Sequence, residues 1–365
     1  MAGLAIIIML AGLELILRWR GVFSTDVNVY DQETGLFTKK PNSEILISND
    51  CFENIEKNNS QGFHDSEFTL AKPDDVFRIA VLGDSFVEAQ QVQVEKTFYY
   101  LLEQKLNELP TNKKKIEVYA FGMGGNSTFK NYLYLNQYAL KYQPDLVILG
   151  FLAMNDFRED YGLLPQIFDK QGNIKTKPSG GQRLISKSVL FLWADYQWKL
   201  VKTRFGYIFR NIFLPKGAVS QLPFDFQVFL KEYPENWNKV WDLEEKLLRE
   251  FKLKSEASGA KFLLVSFDDI WRAHPEILKE NKEYGKYLTN FDLDFDKPEK
   301  ILADFSQKEG INYLNLVPLL RERIKTENQM TFYYPCDNHW NEIGHLWAGE
   351  AIFQYLDQKS ELIDN

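Results

Sequence analysis

Five short apolar runs punctuate the chain from residue 77 onward. They read RIAVLG from Arg78 to Gly83, IEVYAFG from Ile116 to Gly122, LVILGF from Leu146 to Phe151, KFLLVSF from Lys261 to Phe267 and INYLNLV from Ile311 to Val317. Each is too short for a helix, rich in β-branched and aromatic residues, and mostly apolar, as a strand buried on both faces is expected to be. Between them the apolar positions recur with helical spacing, over Glu95–Leu109, Thr128–Tyr142, Asn238–Ala257 and Pro298–Gly310, and a last helix is expected from about Glu342 to Tyr355. Strands alternating with helices predict an α/β fold, a mostly parallel sheet between two helical layers.

In such a sheet, sites form at the carboxyl ends of the strands, near the point where the strand order reverses. Three loops are therefore expected on one rim: Gly83-Asp84-Ser85 after the first strand, the glycine-rich Gly122–Ser127 after the second, and Asn155-Asp156 after the third.

Three segments fall outside the alternation. Residues 1–23 form an apolar stretch in which Glu14 is the only charge between Ala2 and Leu17, followed by Arg18, Trp19, Arg20 and Phe23. Slightly shorter than the ~20 residues of a full span, it is expected to be a retained transmembrane anchor, a buried helix being the alternative. Residues 24–75 are polar and turn-rich and read as a stalk or N-terminal extension. An insertion at about 160–235 carries, from Arg183 to Lys216, seven basic residues against one acid, and eight aromatics. It reads either as a cap over the site or as a membrane-contacting surface. The remaining 76–360 is the α/β domain.

Composition narrows the function. With 45% hydrophobic and 15% aromatic residues the chain can bury a large core, and a net charge of −8 argues against a nucleic-acid partner. Cys51 and Cys336 are the two cysteines and neither lies in a metal-binding spacing, so they are either independent thiols or one bond in an oxidising compartment. The alternating carboxylates Asp292, Asp294 and Asp296 lack the glycine of a calcium loop and read as a solvated acidic loop. No metal or organic cofactor is implied.

Ser85 ends a core strand, and it either caps a helix or attacks an electrophile. A serine nucleophile needs a base, and the base needs an orienting group. Four histidines are available. His64 lies in the polar extension, His274 is weakly placed, and His345 falls in the last helix. His339, in the stretch YPCDNHWNEIGH, lies between the last strand and the last helix, two residues after Asp337. Asp337 and His339 are thus the candidate acid and base. The amides of Ser85 and of the loop FGMGGNST, with the Asn155 side chain, are candidate oxyanion donors.

The ordered set GDSF, GMGGNST, AMND and DNHW resembles the four sequence blocks of the SGNH (GDSL-type) hydrolase superfamily, over roughly Phe77 to the C-terminus apart from the insertion. The resemblance implies a five-stranded, flavodoxin-like sheet, with Ser85 as nucleophile, His339 as base and Asp337 as orienting acid. It implies Ser85, Gly125 and Asn155 as the oxyanion donors. Two departures stand out: Ala153 replaces the usual glycine of the third block, and Asp337 lies two rather than three residues before the histidine. An Asp-x-His-Trp block also occurs in polysaccharide O-acetyltransferases such as the alginate enzymes, and NSQGFHD is similar to a phrase in membrane-anchored bacterial members. The expectation is a serine esterase acting on acyl esters, with O-acetyl or short acyl groups on carbohydrate as candidate substrates. Its catalytic domain is expected outside the cytoplasm. An O-acyltransferase and a non-catalytic assembly protein on the same fold are the alternatives.

Overall fold

The computed structural model describes residues 2–20, 27–31, 34–110, 114–177, 188, 190–191, 193–194, 197–198, 201, 222–274, 285, 290–327 and 332–364. The chain divides into two units, residues 1–40 with 177–221, and residues 41–176 with 222–365.

The first unit contains helix α1 (Ala2–Trp19) and an antiparallel pair, β1 (Asn28–Tyr30) and β2 (Phe37–Lys39). Glu14, the one acid of the apolar stretch, is fully engaged: Arg18 donates to it at 2.7 Å, Ser188 Oγ at 3.0 Å and the Leu190 amide at 2.8 Å. At about 1.5 Å rise per residue, α1 is roughly 27 Å long. No helix among the described residues is long and apolar enough to cross a membrane. The transmembrane anchor expected over residues 1–23 is not supported by a spanning helix among the described residues, and the apolar stretch forms an 18-residue helix. Leu4, Ile6, Ile7, Ile8 and Met9 are exposed on it. All seven basic residues of the insertion lie outside the described residues.

The second unit is built on one sheet. Its strands are β5 (Val76–Gly83), β6 (Lys115–Gly122), β7 (Leu146–Phe151), β8 (Lys261–Ser266) and β9 (Asn312–Asn315), in the order β6-β5-β7-β8-β9 with every pairing parallel. All five apolar runs are strands, and the order is that of flavodoxin-like sheets. The sheet is buried on both faces because alternate side chains point opposite ways. Phe77, Ile79 and Val81 of β5 join Ile148, Leu263 and Val265 in one core. That face is covered by α3 (Phe98–Asn107), α10 (Leu316–Glu327) and α11 (Glu342–Gln358). The other is covered by α4 (Thr128–Gln137), α5 (Ala153–Ile167) and α7 (Trp237–Ala257), with α9 (Lys297–Glu309) beside β9. Short helices α2 (Ser85–Glu88), α6 (Phe224–Gln227) and α8 (Ile270–Ala273) complete the unit.

Residues 41–75, polar in sequence, carry a regular hairpin of β3 (Glu44–Asn49) and β4 (Phe52–Lys57). Its buried polar residues explain why the sequence looked irregular: Asn54 and Glu56 point inward, so polarity does not mark the outer face. The loop that follows anchors on Phe63, buried edge-on against Phe121 at 5.2 Å and Tyr138 at 5.4 Å. The acidic loop is spent on ion pairs, Asp292 with Lys231, Asp294 with Lys300 and Asp296 with Arg321.

Candidate active site

The first strand ends where the sheet order reverses, and the chain turns at once into α2. Asp84 is the N-cap: its carboxylate accepts the Phe86 amide at 3.0 Å. Ser85 is therefore the first helical residue rather than the cap, and its amide N–H has no partner inside the helix. The helix lies directly over the end of β6, where a Cβ at Gly122 would stand 2.1 Å from the Glu88 nitrogen, so only glycine fits.

His339 reaches Ser85 from the far end of the chain. Its Nε2 lies 2.8 Å from Ser85 Oγ, and its Nδ1 lies 2.9 Å from Asp337 Oδ2. Asp337 reaches His339 across an interval of two residues with Asn338 in the left-handed region, φ +62°. Asparagine tolerates that conformation better than most residues. It folds the chain back so that Tyr334 N–H donates to the His339 carbonyl at 2.8 Å and Asn338 N–H to the Tyr334 carbonyl at 2.8 Å. Trp340, fully buried, pins this loop against Phe86 at 4.8 Å and Phe267 at 5.1 Å. The Phe86 ring itself lies 5.0 Å from the His339 ring.

Electrostatics favour a basic imidazole. Burial works to lower the His339 pKa, but the hydrogen bond and charge of Asp337 and the charge of Asp84 outweigh it, and the pKa is raised. Asp337 is held below its ordinary value, first by its hydrogen bond with His339 and, against the effect of burial, by the histidine's charge and by Gln91. Gln91, buried, donates from Nε2 to Asp337 Oδ2 at 2.8 Å.

The candidate oxyanion donors surround the same serine. A Cβ at Gly124 would be 3.9 Å from Ser85 Cβ, so the glycine loop runs beside Ser85, and Gly125 takes φ +74°. The Gly124 amide is already used, donating to Glu88 at 3.1 Å. The Gly125 amide makes no hydrogen bond among the described residues. Asn155, in the first turn of α5, donates one amide hydrogen to Asp84 Oδ2 at 3.1 Å and has a second to offer. Behind it lies a buried acid cluster. Asp160 accepts from Ser127 Oγ and from the Phe129 amide at 3.2 Å, and Asp156 accepts the Leu152 amide at 2.7 Å. Burial pushes the Asp160 pKa up to about 7 and raises those of Asp156 and Glu244.

Ser85, Asp337, His339, Gly125 and Asn155 thus lie at one end of the sheet. Of the other histidines, His345 is buried in α11, stacked on Phe98, and its pKa is lowered to about 3 by burial and by the charges of His339 and His64. His64 is buried against the Lys57 and Val92 carbonyls. The two cysteines form a disulfide, Cys51 to Cys336, which ties the β3–β4 turn to the residue before Asp337. Gln91, Asp84 and Glu88 were not singled out in the sequence. Asp84 sits inside the GDSF block and was open to reading as a helix cap, whereas nothing local marks Gln91 or Glu88.

No family model matches the chain, and no curated protein matches it in sequence. Among solved structures, the chain is similar to the acetyl xylan esterase AlAXEase, with 14% identity over 77% of this chain and 100% of that one, at a TM-score of 0.43. It is similar to a lipase/acylhydrolase from Enterococcus faecalis, with 14% identity over 78% and 96% and a TM-score of 0.40. It is also similar to a catalytic mutant of Axe2, an acetylxylan esterase from Geobacillus stearothermophilus, with 12% identity over 78% and 95% and a TM-score of 0.42.

Proposed function

We propose that the protein is a serine esterase of the SGNH type that works through an acyl-enzyme. The observation that carries this reading is the unbroken relay from Asp337 Oδ2 through His339 to Ser85 Oγ, with contacts of 2.9 Å and 2.8 Å. His339 Nε2 takes the Ser85 proton as Oγ bonds to the ester carbonyl carbon. The negative charge that develops on the carbonyl oxygen is met by the amides of Ser85 and Gly125 and by the free N–H of Asn155. The C–O bond to the alcohol then breaks, and His339 returns the proton to that oxygen, leaving an acyl ester on Ser85. Water repeats the sequence in reverse: His339 takes its proton, the acid is released, and Ser85 is reprotonated. Asp337 keeps the imidazole in the tautomer that presents a bare Nε2 and stabilises it once charged.

Short acyl esters, O-acetyl groups of a glycan among them, suit a half-exposed serine on an open rim. A sugar hydroxyl in place of water would make the same centre a transferase, in keeping with the Asp-x-His-Trp block. The catalytic unit is proposed to work outside the cytoplasm, since a disulfide persists in an oxidising compartment. The exposed apolar surface of α1 suits contact with a lipid surface rather than a span.

The test is product analysis with an acetyl donor, with and without a glycan acceptor, for wild type and Ser85→Ala. Free acetate formed only by wild type supports the esterase. Acetylated glycan as the main product replaces it with the transferase. Equal activity in Ser85→Ala removes the mechanism, and silence in both favours a binding protein.

A further inference from the structure

Two distant pieces of chain converge on the acid limb of the relay, and both are held by the β3–β4 hairpin. The first is the loop after α2. Ala89 closes α2 in the left-handed conformation, φ +53°, which turns the chain so that Gln91 points back toward Asp337. Asn54 of β4 grips this loop on either side of Gln91, donating to the Gln90 carbonyl at 3.0 Å and to the Val92 carbonyl at 2.8 Å. His64 adds a contact to the Val92 carbonyl at 2.9 Å. The second piece is the loop carrying Asp337 and His339. Cys51, in the hairpin turn, is bonded to Cys336, and Phe52 beside it packs on Tyr334 at 4.8 Å.

Gln91 is 2% exposed and its Oε1 accepts no hydrogen bond among the described residues. A buried amide that leaves its acceptor unused is costly, so packing alone would favour an apolar side chain. What the amide supplies is one N–H aimed at Asp337 Oδ2, the oxygen that also receives His339 Nδ1. A flipped amide would set Oε1 against the carboxylate, so only one orientation is stable.

We propose that Gln91 is a positioning residue that fixes the rotamer of Asp337, and that the β3–β4 hairpin braces it by holding the Gln91 loop and the Asp337 loop together. This rests on the esterase reading of the relay. Gln91 touches no reacting atom and acts through Asp337. Without it, the half-exposed carboxylate is free to turn toward water, and His339 loses its fixed direction.

The experiment is a double-mutant cycle in the full chain, using Gln91→Met, a near-isostere that removes the N–H without orphaning a partner, with and without Asp337→Ala. Rates on a p-nitrophenyl acyl ester are read beside the His339 titration followed by nitrogen NMR. The groups bearing on that titration are Asp337, Asp84 and His345. Gln91→Met should lower kcat about tenfold with KM unchanged, the loss of one hydrogen bond to a charged group. It should move the His339 titration down toward its ordinary range. In the Asp337→Ala background it should cost nothing further. Asn54→Ala should give part of the same loss. An unchanged kcat and titration, or an equal loss in both backgrounds, overturns the proposal. If wild type hydrolyses no ester, the proposed function falls, and the His339 titration alone decides the matter for Gln91.

Discussion

His339 Nε2 meets Ser85 Oγ at 2.8 Å across 254 residues of sequence. Neither residue is held there by chance. Ser85 is fixed by the cap on α2, and His339 by the left-handed turn at Asn338 and the buried Trp340. In the proposed mechanism, a base so positioned activates the hydroxyl without any change in the serine itself.

Loss of either partner should therefore be severe. Ser85→Ala and His339→Ala should each lower kcat by roughly 10^4 to 10^6, and the double variant should be no worse than the singles, because the groups act as a unit. Asn155→Ala should lower kcat by about 10^2 to 10^3 with little change in KM. Steady-state kinetics on the purified proteins checks both, and additive losses would argue against a shared relay.

The pH profile follows from the direction of the His339 shift. The imidazole must be neutral to accept the Ser85 proton, and its pKa is raised chiefly by Asp337 against the opposing effect of burial. The ascending limb of kcat/KM should thus lie above the ordinary histidine value of about 6.5. Asp337→Asn should move it downward while reducing kcat. Stability runs the other way. A raised histidine contributes stability that is full below its unfolded pKa and is lost as pH rises through the folded value. Asp337, with its lowered pKa, contributes stability that is present above its unfolded value and lost as pH falls.

The acid cluster behind Asn155 predicts a second pH effect. Asp160 titrates at about 7, raised by burial, and Asp156 and Glu244 are raised with it. Between their ordinary values near 4 and that range, the unfolded chain has lost protons the folded one retains, so stability falls as pH rises. Melting temperature measured from pH 4 to 8 should show this decline. Glu244→Gln, which removes one charge, should flatten it; an unchanged slope would mean the cluster is not the source.

Reduction of the disulfide should cost both stability and turnover. Cys51 and Cys336 are 285 residues apart, and closing a loop of that size stabilises by roughly 6 kcal/mol in the chain-entropy picture. Cys51→Ser should lower the melting temperature and reduce kcat, because Cys336 adjoins Asp337. A gel shift under reducing conditions and free-thiol counts check the bond; two alkylatable thiols in the native protein would contradict it.

Most of the sheet and the catalytic candidates were legible in the sequence for a physical reason. Strands buried on both faces are mostly apolar, so β5, with Arg78 its one charge, and β7 stand out, and a site is expected in the loops at their carboxyl ends. Ser85 and Asn155 stand out because each follows a strand end, and His339 because it lies two residues after an acid and just before the last helix, with α10 between it and β9. What stayed hidden depends on long-range packing. The inward polar face of β4, with Asn54 and Glu56, disguised a hairpin as loose chain. Gln91 has no local signature, since its meaning comes from Asp337, 246 residues away.

The most direct measurement is intact-mass analysis after exposure to a fluorophosphonate, followed by peptide mapping. One covalent adduct on Ser85, absent in both Ser85→Ala and His339→Ala, is the predicted result. Labelling elsewhere, or full labelling of Ser85 without His339, would contradict the claim that these two residues form the nucleophile and its base.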